Sequence, residues 1–303
     1  MPISDKKFDI VIIIATTGRS DLLKNTLQSI DECEKPDNFK GVFVVENGGI
    51  GEAKSIVNSF DKNYYRYIYL KESGKSGALN YAISNFLSED DLIIFTDDDV
   101  IVNDKWIVNY YLRAREYGKH HFYGGSFTVL YEKEPNVNLK HLLPLSARGL
   151  DDAEYSKRSV FHGCNWAAFK SAIERAGLFD ENIGGGSVTN ATGEETIIQR
   201  RLLSLGYKNV FIENNQVQHF VPEDKSNISW ICHRSVRSGL ESAHNNQGNI
   251  YGHIYFIFKL SLKSGYYYIR NNKNQLNECL YKLIKVSAKT LYKLNIYRLN
   301  NKL

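Results

Sequence analysis

The amino-acid sequence predicts an α/β fold, in which helices cover both faces of a mostly parallel central sheet and a helical, basic extension follows. Strand-like and helix-like segments alternate between residues 8 and 118, as they do in proteins with a parallel sheet. The strand-like segments are nearly continuous apolar runs, which is typical of strands buried on both faces. From residue 279 to 294 apolar side chains recur three and four positions apart, the spacing of an amphipathic helix.

Four strand and helix pairs account for the first part of the chain. The strands are predicted at 8–16, 41–49, 64–70 and 91–96, and the helices at 20–30, 51–60, 76–87 and 105–118. Ser20 is the predicted N-cap of the first helix, since serine hydroxyls accept hydrogen bonds from first-turn amides. In such sheets ligands bind beyond the carboxyl ends of the strands.

The pattern loosens after residue 120. We predict a strand at 121–132, a long mobile loop at 133–158, a short helix within 164–181, a flexible glycine-rich segment at 183–193, an amphipathic helix at 194–206 that stops at a glycine, and a strand pair at 207–220. The tail from residue 250 onward is predicted to be helical.

Composition limits the function classes. No window holds 18 apolar residues, so no transmembrane helix is expected, and the first residues lack a signal-peptide pattern, so a cytoplasmic protein is expected. Cys33, Cys164, Cys232 and Cys279 have no CxxC spacing and are predicted to be reduced thiols.

The charge is unevenly distributed along the chain. Residues 251–303 contain ten Lys and Arg against one Glu, which gives +9 and leaves −5 for the rest of a chain of net charge +4. Such a split indicates an anionic partner. Peripheral contact of this segment with the inner face of a membrane is one interpretation. The other is that it packs on the rest of the chain or forms a homodimer contact. No nucleic-acid partner is predicted.

Three polar clusters follow predicted strands, namely 16–19, 46–49 and 97–99, and are expected to meet at one edge of the sheet. Asp97, Asp98 and Asp99 suit a site for Mg²⁺ or Mn²⁺ that arrives with a diphosphate, because such ions favour carboxylate and phosphate oxygens. The alternative is an acidic loop that caps a helix starting near Asn103.

The segment 72–80 places Lys75 at a glycine-rich helix entry and forms a candidate anion site. It is not a P-loop, because Tyr69 occupies the position of the first glycine. Glu194 and Glu195 open the later helix, where either could be a general base or simply favour the helix dipole. His219, Arg234 and Arg237 are further candidates, with a structural histidine and a solvated basic face as the alternatives.

Read together, these segments resemble glycosyltransferase family 2, whose members have the GT-A fold. The resemblance covers roughly residues 8–239. It rests on TTGR after the first strand, ENGG after the second, GKSGALN, TDDDV as a DXD motif, HGCNWAAFKSAIERAGLFDE, GEETIIQRRLLSLGY, VQHF and HRSVRSG. It implies a GT-A domain at 1–240, with a nucleotide-binding half at about 1–118 and an acceptor half at about 119–240, and a Tyr- and Lys-rich helical extension at 241–303.

The resemblance also implies the chemistry: inverting transfer of a sugar from a nucleotide sugar, commonly a UDP-sugar, to a hydroxyl of a glycan or lipid-linked acceptor in bacterial polysaccharide or glycan assembly. By this resemblance Thr16, Arg19, Glu46, Lys75, Asp97 and Asp98 would bind the nucleotide sugar, Asp99 and His219 the metal, and Arg234 and Arg237 the diphosphate or acceptor. Glu195 would be the base, with Glu194 in reserve, because this chain has Glu where Asp is commoner.

Two other functions stay open at this point. A nucleotidyltransferase would release pyrophosphate, although ATTGRS after the first strand is a poor match to the glycine-rich signature of those enzymes. A non-catalytic nucleotide-sugar or glycan-binding module would suit the 13% aromatic content, because aromatic rings stack on sugars.

Overall fold

The computed structural model describes residues 8–71, 74–186, 193–244 and 249–294. It divides the chain into two units, the first formed by Met1–Thr128 and Gly149–Phe220 and the second by Val129–Arg148 and Val221–Leu303. Most of the predicted flexible glycine-rich segment, residues 187–192, lies outside the described residues, as do residues 72–73 of the predicted anion site. A boundary near residue 240 between independently folding domains stays a proposal.

A seven-stranded sheet forms the centre of the first unit. The strands of the chain are β1 Ile10–Thr16, β2 Phe39–Asn47, β3 Tyr65–Leu70, β4 Leu92–Thr96, β5 Val100–Ile101, β6 His121–Gly124, β7 Phe127–Tyr131, β8 Trp166–Phe169, β9 Lys208–Phe211 and β10 Val217–Val221. The central sheet has the order β3-β2-β1-β4-β8-β6-β9. Every neighbouring pair is parallel except those of β8 with β4 and β6, so the predicted mostly parallel sheet is confirmed.

The helices follow the predicted alternation. They are α1 Ser20–Asp31, α2 Ala53–Val57, α3 Gly74–Phe86, α4 Trp106–Tyr117, α5 Val137–Lys140, α6 Asp152–Tyr155, α7 Lys170–Arg175, α8 Glu194–Ser204, α9 Ile228–His244, α10 Ile250–Ile269 and α11 Lys273–Lys293. The predicted cap of α1 is wrong: Arg19 occupies the N-cap position without a side-chain cap bond, and Ser20 is the first helical residue.

Burial of apolar strands on both faces explains why the centre of the sheet forms. Ile10 to Ile14 of β1 are fully buried, and β1 pairs with β2 on one side and β4 on the other. Each such side chain contributes about 1.5–3 kcal/mol by leaving water. Phe95 of β4 stacks on Trp166 of β8 with ring centroids 4.5 Å apart, which extends this core across the antiparallel strand.

The predicted strand at 121–132 is two strands in two sheets. Gly125 lies at the break, where a Cβ would come 2.0 Å from the carbonyl oxygen of Asn215 and 2.6 Å from the Nδ2 atom of Asn165. Asn165 is buried and uses its whole amide: Oδ1 accepts from Trp106 and Tyr110, and Nδ2 donates to two backbone carbonyls. The sheet therefore ends where a buried amide replaces strand pairing.

The predicted strand pair at 207–220 is also wrong, because β9 and β10 belong to different sheets. Asn214 adopts a left-handed φ of 59° between them and redirects the chain. β10 joins β5 and β7 in a three-stranded sheet, and His219 pairs with Val100 in the middle of β10 instead of ending a strand.

Two further predictions need correction. The predicted mobile loop at 133–158 contains α5, a 3-10 turn at Leu145–Ala147 and α6, and its residues Leu142 and Leu143 are buried in a cluster with Val221 and Ile231. β8 directly precedes α7 where only a helix was predicted. Elements of four residues are too short to show a period in the sequence.

The second unit is built around α9, α10 and α11, and the predicted helical tail is confirmed over residues 250–269 and 273–293. Gly239 of α9 allows a close crossing, since a Cβ there would come 2.3 Å from the carbonyl oxygen of Lys285 on α11. None of the helices in the described ranges is long and apolar enough to cross a membrane. None of the four cysteines forms a disulfide, and all four are free thiols as predicted.

Candidate functional site

The carboxyl end of β4 carries the three aspartates into the interior of the first unit. Asp98 is 1% exposed and Asp99 5%, whereas Asp97 is half-buried. Burial raises the pKa of Asp98, and the neighbouring Asp99 adds to this effect. The aspartates do not cap a helix near Asn103, because α4 starts at Trp106 with Lys105 at its N-cap position. They bond instead to Thr16, Arg19 and Lys75. We call Asp97, Asp98 and Asp99 the aspartate tip. It concentrates negative charge, so cations must lie nearby to offset that charge.

Arg19 supplies one of those cations. Its guanidinium pairs with Asp98 and donates to Oδ2 of Asp99 at 2.7 Å, and Thr16 donates its hydroxyl to Asp98 at 2.6 Å. Burial alone would lower the pKa of Arg19, but Asp98 and Asp99 outweigh it and raise that pKa. The predicted convergence of the ends of β1 and β4 is thus present in the structure.

Lys75, at the start of α3, supplies the second cation and bridges two elements. Its Nζ lies 2.6 Å from Asp97 and 3.2 Å from Glu194, the first residue of α8. Burial would lower the pKa of Lys75, but these two carboxylates raise it well above its usual value. The same ion pair holds the pKa of Asp97 low despite its burial. Lys75 therefore links the aspartate tip to the N-terminus of α8.

Glu46 is the penultimate residue of β2, and its carboxylate is hydrogen-bonded within the chain itself. It is fully buried and accepts from the amides of Gly51 and Ala53 and from the hydroxyl of Tyr67. A Cβ at Gly49 would come 2.3 Å from its Oε1. Glu46 thus shapes the loop after β2, and its contact with a nucleotide stays a prediction.

His219 adds a second type of ligand, an imidazole, to the carboxylates of the tip. Its Nε2 lies 3.3 Å from Oδ1 of Asp99, and ligand atoms of Asp97, Asp99 and His219 all lie within 4.8 Å of one another. Two carboxylates and an imidazole form a suitable set for Mn²⁺, and the carboxylates also suit Mg²⁺. The predicted ligands Asp99 and His219 are brought together, and Asp97 joins them.

The two glutamates that open α8 have different surroundings. Glu194 is buried against Lys75, and its Oε2 accepts from the amide of Gly193 at 3.2 Å. Glu195 is partly exposed and packs over Gly163, where a Cβ would come 3.4 Å from its carboxyl carbon. Burial raises the pKa of Glu195 to about 8, and the charge of Glu194 adds to this effect. A carboxyl titrating near neutral pH can accept a proton, which favours Glu195 as the base.

Gln199 is a site residue that the sequence reasoning missed. It is fully buried one helical turn after Glu195, accepts from the amide of Phe161 at 2.6 Å and donates to the carbonyl of the same residue at 3.1 Å. This pair fastens α8 to the loop that contains Gly163. The spacing of 195 and 199 on one helix face was the available signal.

His162 was missed as well. The centroid of its ring lies 4.6 Å from that of Phe127 and 6.3 Å from that of His219, so it stands beside the aspartate and histidine cluster. Burial and the nearby His219 lower the pKa of His162 to about 3, which keeps the imidazole neutral.

Arg234 and Arg237 lie on α9, in the second unit. Their contact with a diphosphate or an acceptor stays a prediction.

The chain is similar to one known protein family over more than half of its length. A family model described as Glycosyl transferase family 2 matches residues 11–177 of the 303 residues. No curated protein matches the sequence.

Two solved structures are similar in fold. The crystal structure of GalNAc-T7 with UDP, GalNAc and Mn²⁺ has a TM-score of 0.54 and 12% identity, and the match covers 72% of this chain and 44% of that one. The mannosyltransferase PcManGT from Pyrobaculum calidifontis, in complex with GDP-Man and Mn²⁺, has a TM-score of 0.54 and 16% identity, over 97% of this chain and 79% of the other. This chain thus spans less than half the length of the first relative.

Proposed function

Because the chain belongs to glycosyl transferase family 2, we propose that it transfers a sugar from a nucleoside-diphosphate sugar to an acceptor hydroxyl, with inversion at the anomeric carbon. One observation carries the proposal: side chains that can hold a metal ion lie at the buried aspartate tip, and Lys75 links this tip to helix α8. Helix α8 bears Glu195, whose pKa is raised. Such a site has both an acidic end for an activated donor and a base for an incoming hydroxyl.

Asp97, Asp99 and His219 would hold the divalent cation, since they offer oxygen and imidazole ligands within 4.8 Å of one another. A cation held there would neutralise charge on the leaving diphosphate. Mn²⁺ accompanies the nucleotide in both similar structures, which supports Mn²⁺ first and Mg²⁺ second.

Arg19 and Lys75 are the two cationic side chains that would contact the donor. Arg19 bridges Asp98 and Asp99 of the tip, and Lys75 bridges Asp97 of the tip to Glu194 of α8, so the buried aspartates have positive charge nearby. We propose that the nucleotide sugar binds along Thr16, Arg19, Glu46, Lys75, Asp97 and Asp98. A uridine diphosphate sugar is the proposed donor.

Glu195 would take the proton of the acceptor hydroxyl. The hydroxyl oxygen attacks the anomeric carbon, a new carbon–oxygen bond forms, and the bond to the diphosphate breaks with its electron pair left on the diphosphate oxygen. Because attack and departure occur on opposite faces, one displacement inverts the centre. General-base assistance of this kind contributes roughly 10²–10⁴-fold.

The acceptor is proposed to be a glycan or a lipid-linked glycan in bacterial polysaccharide assembly. Location in the cytoplasm at the inner face of the membrane, and a homodimer, stay predictions.

The test is a panel of nucleotide sugars, incubated with Mn²⁺, Mg²⁺ or a chelator, with release of nucleoside diphosphate as the readout. We expect release with one donor only when a divalent cation is present. Asp99→Asn should abolish it, whereas Asp104→Asn, an exposed aspartate five residues on, should not.

Two outcomes would contradict the proposal. Release of pyrophosphate would indicate nucleotidyl transfer. Donor binding without turnover, across candidate acceptors, would indicate a binding module.

A further inference from the structure

Helix α10 packs on α11 through one apolar stripe. Leu260 lies in a buried cluster with Cys279 and Val286 of α11, and Ile257 and Tyr267 of α10 pack against it. These α10 residues are separated by three and seven positions, so they share one helix face. That face accounts for the attachment of α10 within the second unit.

A second apolar stripe runs along the opposite face of α10. Its members recur three and four positions apart, are all large, and are between 55% and 84% exposed: Tyr251, Tyr255, Phe258, Leu262, Tyr266 and Ile269. Side chains at this spacing project from one side of a helix. We call this set the outward stripe; at 1.5 Å per residue it extends for about 27 Å.

Such a stripe is unusual on a water-facing helix. A helix that is apolar on both faces is normally covered on both, and long continuous apolar patches mark binding surfaces. The remaining question is the nature of the partner.

Charge decides between the two simplest partners. Lys259 and Lys263 flank the outward stripe one turn apart, and α10 contains no Asp or Glu. Residues 250–294 carry eight Lys and Arg against one Glu, a net charge of +7. Two copies meeting through α10 would bring like charges together, whereas a surface of anionic phospholipid is complementary to this charge.

We propose that the outward stripe of α10 binds the surface of an anionic phospholipid bilayer, with the helix lying in the plane of the interface. Its apolar side chains would enter the boundary of the acyl chains while the lysines meet the phosphates. Tyrosine suits this position because its ring is apolar and its hydroxyl stays wet. The proposal does not depend on the proposed transfer reaction.

The test is co-sedimentation of the full-length protein with vesicles of phosphatidylcholine alone or mixed with phosphatidylglycerol. We expect binding to the mixed vesicles, weakened at least tenfold by Phe258→Glu/Leu262→Glu. The matched control Leu112→Glu/Leu205→Glu alters exposed leucines of the first unit and should bind as the unaltered protein does. Lys259→Glu/Lys263→Glu should weaken binding by about thirtyfold or more, since each lysine near such a surface contributes about a factor of five.

Donor hydrolysis separates this proposal from the proposed function. Phe258→Glu/Leu262→Glu should keep its hydrolysis rate while it loses vesicle binding. Failure to bind mixed vesicles would overturn the proposal, and so would binding that survives the double substitution. A dimer in light scattering that the same variant dissociates would show that the outward stripe is a contact between two copies.

Discussion

The aspartate tip of the first unit and helix α10 of the second depart from ordinary burial in opposite directions. The tip buries Asp98 and Asp99, while α10 exposes Tyr251 and Ile269 almost fully. A buried charge and an exposed apolar stripe are the informative exceptions in a folded chain, because neither is stabilising by itself. From this comparison we expect both exceptions to be places where another molecule binds.

The two regions also differ in how the chain tolerates them. Arg19 and Lys75 offset the charge of the tip by ion pairs that reach across the fold. The outward stripe has no such internal compensation among the described residues, since α10 is attached through its other face. Substitutions in the aspartate tip should therefore disturb catalysis, whereas substitutions in the outward stripe should disturb membrane binding.

The largest expected effect is that of Glu195→Gln. Loss of the base should lower the rate of sugar transfer by about 10²–10⁴-fold while donor binding survives. Steady-state transfer kinetics and donor titration measure the two quantities. Glu194→Gln is the matched control and should lose far less; the reverse order would make Glu194 the base.

Next in size is the effect of the metal ligands on stability. An ion at a concentration 100 times its dissociation constant stabilises a folded protein by about 2.7 kcal/mol. Thermal unfolding with and without Mn²⁺ should show this rise in the unaltered protein and none in Asp99→Asn. An equal rise in both would mean that Mn²⁺ binds elsewhere.

Gln199→Leu should act on stability and catalysis together. It leaves the buried amide and carbonyl of Phe161 without their side-chain partner, at a cost of about 1–3 kcal/mol. The turnover number should fall with the donor KM unchanged, because α8 loses its hydrogen bonds to the loop at Gly163.

By contrast, Leu262→Ala in the outward stripe should change the free energy of unfolding by less than about 0.5 kcal/mol. Chemical denaturation of both variants checks the contrast.

The smallest effect concerns pH. A base works when deprotonated, so the transfer rate should rise with pH until it levels off above about 8, the raised pKa of Glu195. Glu194→Gln removes a negative charge that raises this pKa, so the rise should move to lower pH. Phe258→Glu/Leu262→Glu should leave the profile in place. A profile that is flat between pH 6 and 9 in the unaltered protein would contradict the role of Glu195.

The sequence determined most of the fold and the location of the site. The strands β1 and β4 are continuous apolar runs, so burial of both in the centre of a sheet is expected. The carboxyl ends of parallel strands lie at the same edge of the sheet. Thr16, Arg19 and the three aspartates were therefore predictable as neighbours. The helical tail was predictable too, because its period is local.

Only the tertiary structure decided which groups act together. The ion pairs of Arg19 and Lys75, the different surroundings of Glu194 and Glu195, and the bonds of Gln199 depend on contacts between residues far apart in sequence. The two faces of α10 are equally apolar in sequence, and packing on α11 alone distinguishes the covered stripe from the outward one. Burial and long-range pairing set these properties, and neither is encoded in local spacing.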